Sequence, residues 1–215
     1  MNFLEKNGLQ TAQTHFKDIF QNNIHRNYAD AMLDWLEQET DFFAAPSSTK
    51  YHGAHTGGLL AHSLNVYHRL RDIAIRDLAG KEDPGKYRLS EEQEETVAII
   101  ALLHDVCKVG CYRLETKRRK NPETGRWEDY EGYTYKDPLP LGHGEKSLYL
   151  IQRHMGLLPE EALAPPIRWH MGAYDDAAKT DNRALSAAMA ASPWVWRLQE
   201  ADMCAAWIDE QEAGE

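Results

Sequence analysis

The chain of 215 residues has only three cysteines, Cys107, Cys111 and Cys204, and no Cys-x-x-Cys pair. That argues against a disulfide framework or a thiolate-closed structural zinc site, and the three read as reduced, mostly buried thiols of a cytoplasmic protein. Long apolar runs are missing too. None approaches the roughly 20 residues of a membrane span, and the opening MNFLEKNGLQTAQTHF lacks the apolar stretch of a signal peptide. Excess positive charge is also absent: 24 Lys and Arg stand against 34 Asp and Glu, a net −10. The surface as a whole therefore does not advertise nucleic-acid binding, although a small phosphorylated substrate remains open because bound metals would dominate the local field. No internal repeat or low-complexity stretch is present.

What remains, 42% hydrophobic and 27% charged residues, is the composition of an ordinary globular protein, and the length suits one domain. Residues 1–45 place apolar side chains at helical spacing (Ala29, Met32, Leu33, Leu36), which predicts one or two amphipathic helices. Leu59, Leu60, Ser63, Val66, Tyr67 and Leu70 form a second stripe and predict a helix from about 58 to 79. Ser90 before EEQ is an N-cap with Gln93 as capping-box partner, and the nearly all-apolar TVAIIALLHDVCK predicts a central buried helix continuing through Lys108. Two β-leaning runs around NPETG predict a hairpin at about 111–136. Further helices are expected at about 144–155, 159–171, 181–190 and 193–210, with Pro193 in a first turn.

Ten histidines are many for this length. His104-Asp105 sits near the end of the buried helix, where an ionised Asp is costly unless paired or metal-bound. His62 borders the apolar face of the 58–79 helix, and Asp202 lies among Leu198, Ala201, Ala205 and Ala206. One misplaced polar residue is usually a satisfied core residue; several on separate helices suggest a shared ligand.

The order GGLLAHSLNV, LLHDVCK, ADMCAA resembles the H…HD…D signature of the HD superfamily of metal-dependent phosphohydrolases, from about residue 52 to residue 206. The resemblance implies an all-α HD-domain helical bundle with the hairpin inserted, one domain in which residues 1–48 pack as a helical extension on a 52–206 core. It implies metal ligation by His62, His104, Asp105 and Asp202. Binuclear members add two histidines between the HD pair and the last Asp, and His143 and His170 stand in that order, which implies two metals with Asp105 between them. Mixed N/O ligation suits divalent Mn, Fe, Co, Ni or Zn.

The pattern HDxxK is common in hydrolytic members, so Asp105 and Lys108 are the catalytic candidates, with Lys108 meeting the phosphate. Lys146, Arg168 and His52 are weaker substrate-binding candidates. The basic run at 117–120 reads as a solvated hairpin arm paired with Glu123, Glu128 and Asp129, or as a steering patch. The implied activity is hydrolysis of a phosphomonoester or phosphodiester of a nucleotide or nucleic-acid end. A mixed-valent di-iron oxygenase and a catalytically silent nucleotide sensor stay open as alternatives.

Overall fold

The structure, a computed structural model, describes residues 7–79, 87–156 and 162–210. Helices α1 (Leu9–Asn23) and α2 (Ala29–Gln38) are followed by the long α3 (Gly58–Leu78) and the central α4 (Glu91–Leu103). Strands β1 (Tyr112–Lys120) and β2 (Trp127–Tyr135) form the hairpin, and α5 (His143–Met155), α6 (Ala164–Arg168), α7 (Asp176–Thr180), α8 (Arg183–Ala191) and α9 (Pro193–Cys204) complete the order. The expected all-α bundle with one inserted hairpin is what the chain forms, and none of the described helices is long and apolar enough to cross a membrane.

α4 is the hub. Thr96 to Leu103 are all buried, because a helix apolar on every side must be covered on every side. α3 and α1 lie against it, α9 lies against α3, and α5 packs on α2 and on the chain just beyond α4. Phe16, Phe20, Met32, Leu36, Leu59, Leu64, Ile99 and Leu102 belong to one continuous core, so α1 and α2 share the core of α3 and α4. The capping box at Ser90 is complete: Gln93 N–H donates to Ser90 Oγ at 3.2 Å, and Ser90 N–H donates to Gln93 Oε1 at 2.9 Å.

The expectation that the central helix runs through Lys108 is corrected. α4 stops at Leu103, His104 is its C-cap, and Val106–Lys108 form a separate 3-10 turn. Asp105 between them has φ −105° and ψ 15°, a sparsely allowed conformation where active-site residues often sit. Lys108 at the end of that turn has its Nζ 2.6 Å from Asp105 Oδ2. Two further differences are local. The helix expected at 159–171 is α6 alone, residues 159–161 lying outside the described set, and α7 was not anticipated; Asp175 starts it by accepting from the backbone N–H of Ala177 and Ala178. The last helix passes at Ala205–Asp209 into a π-turn, a feature that often sits beside functional sites.

The hairpin pairs Tyr112 with Tyr135 and Lys120 with Trp127 in unbroken antiparallel register. Its basic run is matched across the strands, Arg118 with Asp129 at 3.1 Å and Arg119 with Glu128 at 2.7 Å. Its root is tied to the bundle where Tyr112 Oη donates to Ser47 O at 3.0 Å.

Candidate functional site

Five separate pieces of chain bring histidines and carboxylates together. His62 sits on the first turns of α3, which start at a paired glycine. A Cβ on Gly58 would come within 2.0 Å of Gly53 O, so only glycine lets the 47–53 loop lie against the helix. That close approach places the His52 ring 5.4 Å from the His62 ring. A similar device joins α5 to α6: a Cβ on Gly144 would lie 2.0 Å from Arg168 O. His143, the first residue of α5, and His170, just past α6, consequently have ring centroids 6.0 Å apart. His104 and Asp105 come from the end of α4, and Asp202 from α9.

Asp105 is the meeting point. Its Oδ2 lies 3.6 Å from Nε2 of both His62 and His104, and its Oδ1 lies 3.4 Å from His170 Nε2 and 3.8 Å from His143 Nε2. Asp202 Oδ1 is 3.2 Å from His62 Nε2. Asp105 and His104 are almost wholly buried. Beside them opens a cavity of about 300 Å³ lined by His52, His62, Asp105, Lys108, His143, His170 and Asp202, together with Gln199 and mostly apolar residues such as Met203 and Trp207.

The protonation pattern follows from this crowding. Burial would raise the Asp105 carboxyl, but Lys108 and the histidines hold it well below the usual range. Burial lowers His104 to about 4, and does the same to His143. Burial would also lower His62, yet the carboxylates of Glu210 and Asp202 outweigh it and hold that imidazole up at about 10. Burial works against charge on Lys108 as well, and the neighbouring Asp105 reverses the sign and raises it.

These groups fit a divalent cation. His104 Nδ1 donates to Ala101 O at 2.8 Å, His170 Nδ1 to Ile167 O at 2.7 Å, and His62 Nδ1 to Glu210 Oε1 at 3.0 Å. Each ring thereby spends its Nδ1 proton on an acceptor and turns Nε2 inward, the arrangement that orients metal-binding imidazoles. His62 Nε2 and His104 Nε2 face each other at 3.3 Å, a contact between two lone pairs unless a proton or a metal ion supplies positive charge. His170 Nε2 is buried with no hydrogen-bond partner among the described residues. Ligand atoms within 4.8 Å of one another occur in the sets His62, His104, Asp105 and Asp105, Cys107, His143, and also in His52, His62, Glu210. Cys107 is the poor member, since burial pushes its thiol far up and keeps it protonated.

Of the residues singled out from sequence, His62, His104, Asp105, His143, His170 and Asp202 converge, and Lys108 and His52 line the same cavity. Lys146 and Arg168 do not line it. Lys146 is buried with its ammonium 2.6 Å from Asp137 Oδ1 and 3.1 Å from Cys111 Sγ. Arg168 pairs with Glu145 and, at 2.8 Å, with Asp175, and its guanidinium stacks on Trp169. The remaining histidines are elsewhere: His15 stacks on His68 and His154 on Trp35, His25 is exposed, and the half-buried His55 has its Nδ1 3.0 Å from Thr56 O. Glu210 was not anticipated. It sits in an acid-rich stretch with no periodic signal, and only the π-turn carries it back to α3, where it also accepts from Asn65 Nδ2 at 3.1 Å.

The sequence model of the HD domain family matches residues 59–207, more than half of the chain. The chain belongs to the HD domain family, within the superfamily of metal-dependent phosphohydrolases, whose domains bind divalent metals. No match was found among curated proteins, and none among solved structures.

Proposed function

We propose that this protein hydrolyses a phosphate ester of the nucleotide or nucleic-acid-end class in a reaction that depends on divalent metal. The observation that carries the reading is the clustering of four imidazoles and two carboxylates beside a cavity whose wall also holds the ammonium of Lys108. His62, His104, Asp105 and Asp202 are assigned to one ion, and His143, His170 and the shared Asp105 to a second, with Mn, Fe, Co, Ni or Zn suited to the mixed N/O donors. Ions so held supply an activated water and a polarised phosphoryl oxygen.

The chain's own groups do the rest. Lys108 stays charged and meets the phosphoryl oxygens, its charge steadied by Asp105. Asp105 stays ionised throughout, so its two oxygens remain available to both halves of the site. His52 is lowered by burial, then by His62 and Lys108, and serves as a neutral hydrogen-bonding partner at the cavity wall. Lys146 and Arg168, committed to carboxylates elsewhere, have no assigned contact with substrate. The whole chain acts as one HD domain, with residues 1–48 as an extension on the core.

The test is release of phosphate or nucleoside from a panel of nucleotides and generic mono- and diesters with Mn²⁺, Ni²⁺ or Co²⁺, beside Asp105→Ala. Metal-dependent release that the variant lacks is expected. A protein that binds metal and releases nothing from any ester would overturn the reading in favour of the di-iron oxygenase or the sensor.

A further inference from the structure

The cavity has a second wall that hydrolysis of a phosphate ester does not by itself require. Gln199 and Met203 on α9, and Ala206 and Trp207 on its π-turn, follow at spacings of three and four residues around Asp202 and so face the same way. Tyr174, from the 3-10 turn at Gly172–Tyr174, lines the cavity as well. Trp207 and Tyr174 are each 65% exposed and Met203 52% exposed. Large apolar side chains gathered in water on the rim of a cavity that holds a charged cluster mark a surface that receives a ligand.

The wall carries one oriented polar group. Gln199 Nε2 donates to Trp169 O at 2.8 Å, which fixes the amide and leaves Oε1 as an acceptor. Charge limits the other end of the ligand. Lys108 is the one Lys or Arg lining the cavity among the described residues, and Asp105 already matches its charge. Beyond any metal ion, a chain of further phosphates would meet no second side-chain cation there. The volume of about 300 Å³ is at the lower end for ligand pockets, which run from about 300 to 1,000 Å³.

We propose that the substrate is a phosphate monoester whose alcohol carries a flat ring with an N–H donor, chemistry of the nucleoside monophosphate kind. The ring lies against Trp207, Tyr174 and Met203, its N–H donates to Gln199 Oε1, and the single phosphoryl group reaches the His and Asp cluster. In the reaction ROPO₃²⁻ + H₂O → ROH + HPO₄²⁻ the ester P–O bond breaks, the water oxygen forms the new one, and a water proton ends on the leaving oxygen. The catalytic half of this inference rests on the phosphohydrolase reading; the binding wall does not.

The experiment compares kcat/KM for nucleoside 5′-monophosphates, the matching triphosphates and glycerol phosphate in the metal-loaded wild type, in Trp207→Ala and in Trp196→Ala. Trp196 is an exposed residue of α9 away from the cavity and serves as the control. Monophosphates should be preferred over both other classes, and Trp207→Ala should cut the monophosphate-to-glycerol-phosphate ratio by about tenfold to a hundredfold, the usual range for a base–aromatic stack. Trp196→Ala should leave the ratio unchanged. Turnover without that preference, or a ratio that Trp207→Ala leaves alone, would overturn the proposal and keep the hydrolase. If no ester is cleaved, calorimetry of free nucleosides with the metal-free protein decides the wall: binding that Trp207→Ala abolishes supports it, and no binding overturns it.

Discussion

His62 Nδ1 lies 3.0 Å from Glu210 Oε1, although 148 residues separate the two along the chain. The carboxylate accepts a hydrogen bond from Nδ1–H, sets the ring's orientation and points Nε2 at Asp105 and Asp202. Asp209 beside it grips Arg69 of α3 at 2.8 Å, so the π-turn is anchored by two neighbouring acids on one helix. Glu210→Ala should therefore weaken metal affinity about 10- to 100-fold, the usual cost of losing a partner of a ligating histidine. Glu210→Gln, which keeps an oxygen acceptor for Nδ1, should lose much less. Chelator competition gives the three affinities, and three equal values would show that Glu210 does not position His62.

Metal binding should also release protons. With its folded value at about 10, above the ordinary 6.5, His62 is protonated in the metal-free protein at pH 7. Its contribution to stability is complete below about 6.5 and is lost as pH rises through about 10. A metal must displace that proton, whereas His104 and His143, at about 4, are already neutral. His170, also raised by Asp105 against its burial, adds to the release. Calorimetry in buffers of different ionisation enthalpy at pH 7 should thus report at least about one proton per chain, with affinity rising towards alkaline pH. Zero protons would mean that His62 does not bind the metal.

His143→Ala should lower metal content from about two to about one ion per chain, because under the proposed two-ion assignment it removes a ligand from one half of the site only. Elemental analysis after dialysis reads this directly. An unchanged ratio would take His143 out of the site and leave a single ion on the His62 side.

Gly144→Ala tests the close approach between α5 and α6. Its methyl would meet the backbone of Arg168, which cannot move aside as a side chain can. The helices must separate, and His143 and His170 move with them. Thermal unfolding should show a loss of about 1–3 kcal/mol, the common cost of overpacking, with weaker metal binding alongside. Full stability and unaltered metal binding would show that the two helices are free to part.

Much of the candidate cluster was legible because its residues break strong local patterns. His62 interrupts an apolar stripe, His104 and Asp105 end an apolar helix, and Asp202 lies in a run of alanines, so each stood out against a helix whose period was clear. Helix starts at Gly58 and Glu91 were readable because the Gly57-Gly58 pair and the Ser90 box are local devices. Partner choice was not legible. Lys146 and Arg168 look alike on paper as cations near histidines, yet Asp137 and Asp175 in adjoining loops claim them, and only the folded chain shows which acid is near. Glu210 escaped for a related reason: an acid among acids carries no periodic signal, and a π-turn shifts the register in a way that a 3.6-residue period does not foresee.

The π-turn has a consequence for biosynthesis. The groups that orient or line the cluster run from His52 to Glu210, and the carboxylate that fixes His62 comes at the far end of that span. On a ribosome, α3 and α4 can pack as soon as they emerge, but the imidazole of His62 gains its partner only after nearly 150 further residues have been added. Metal captured earlier would find an unaligned ligand and be easily lost, so tight loading is expected to come after Glu210 has been added rather than to guide the first packing of α3 and α4.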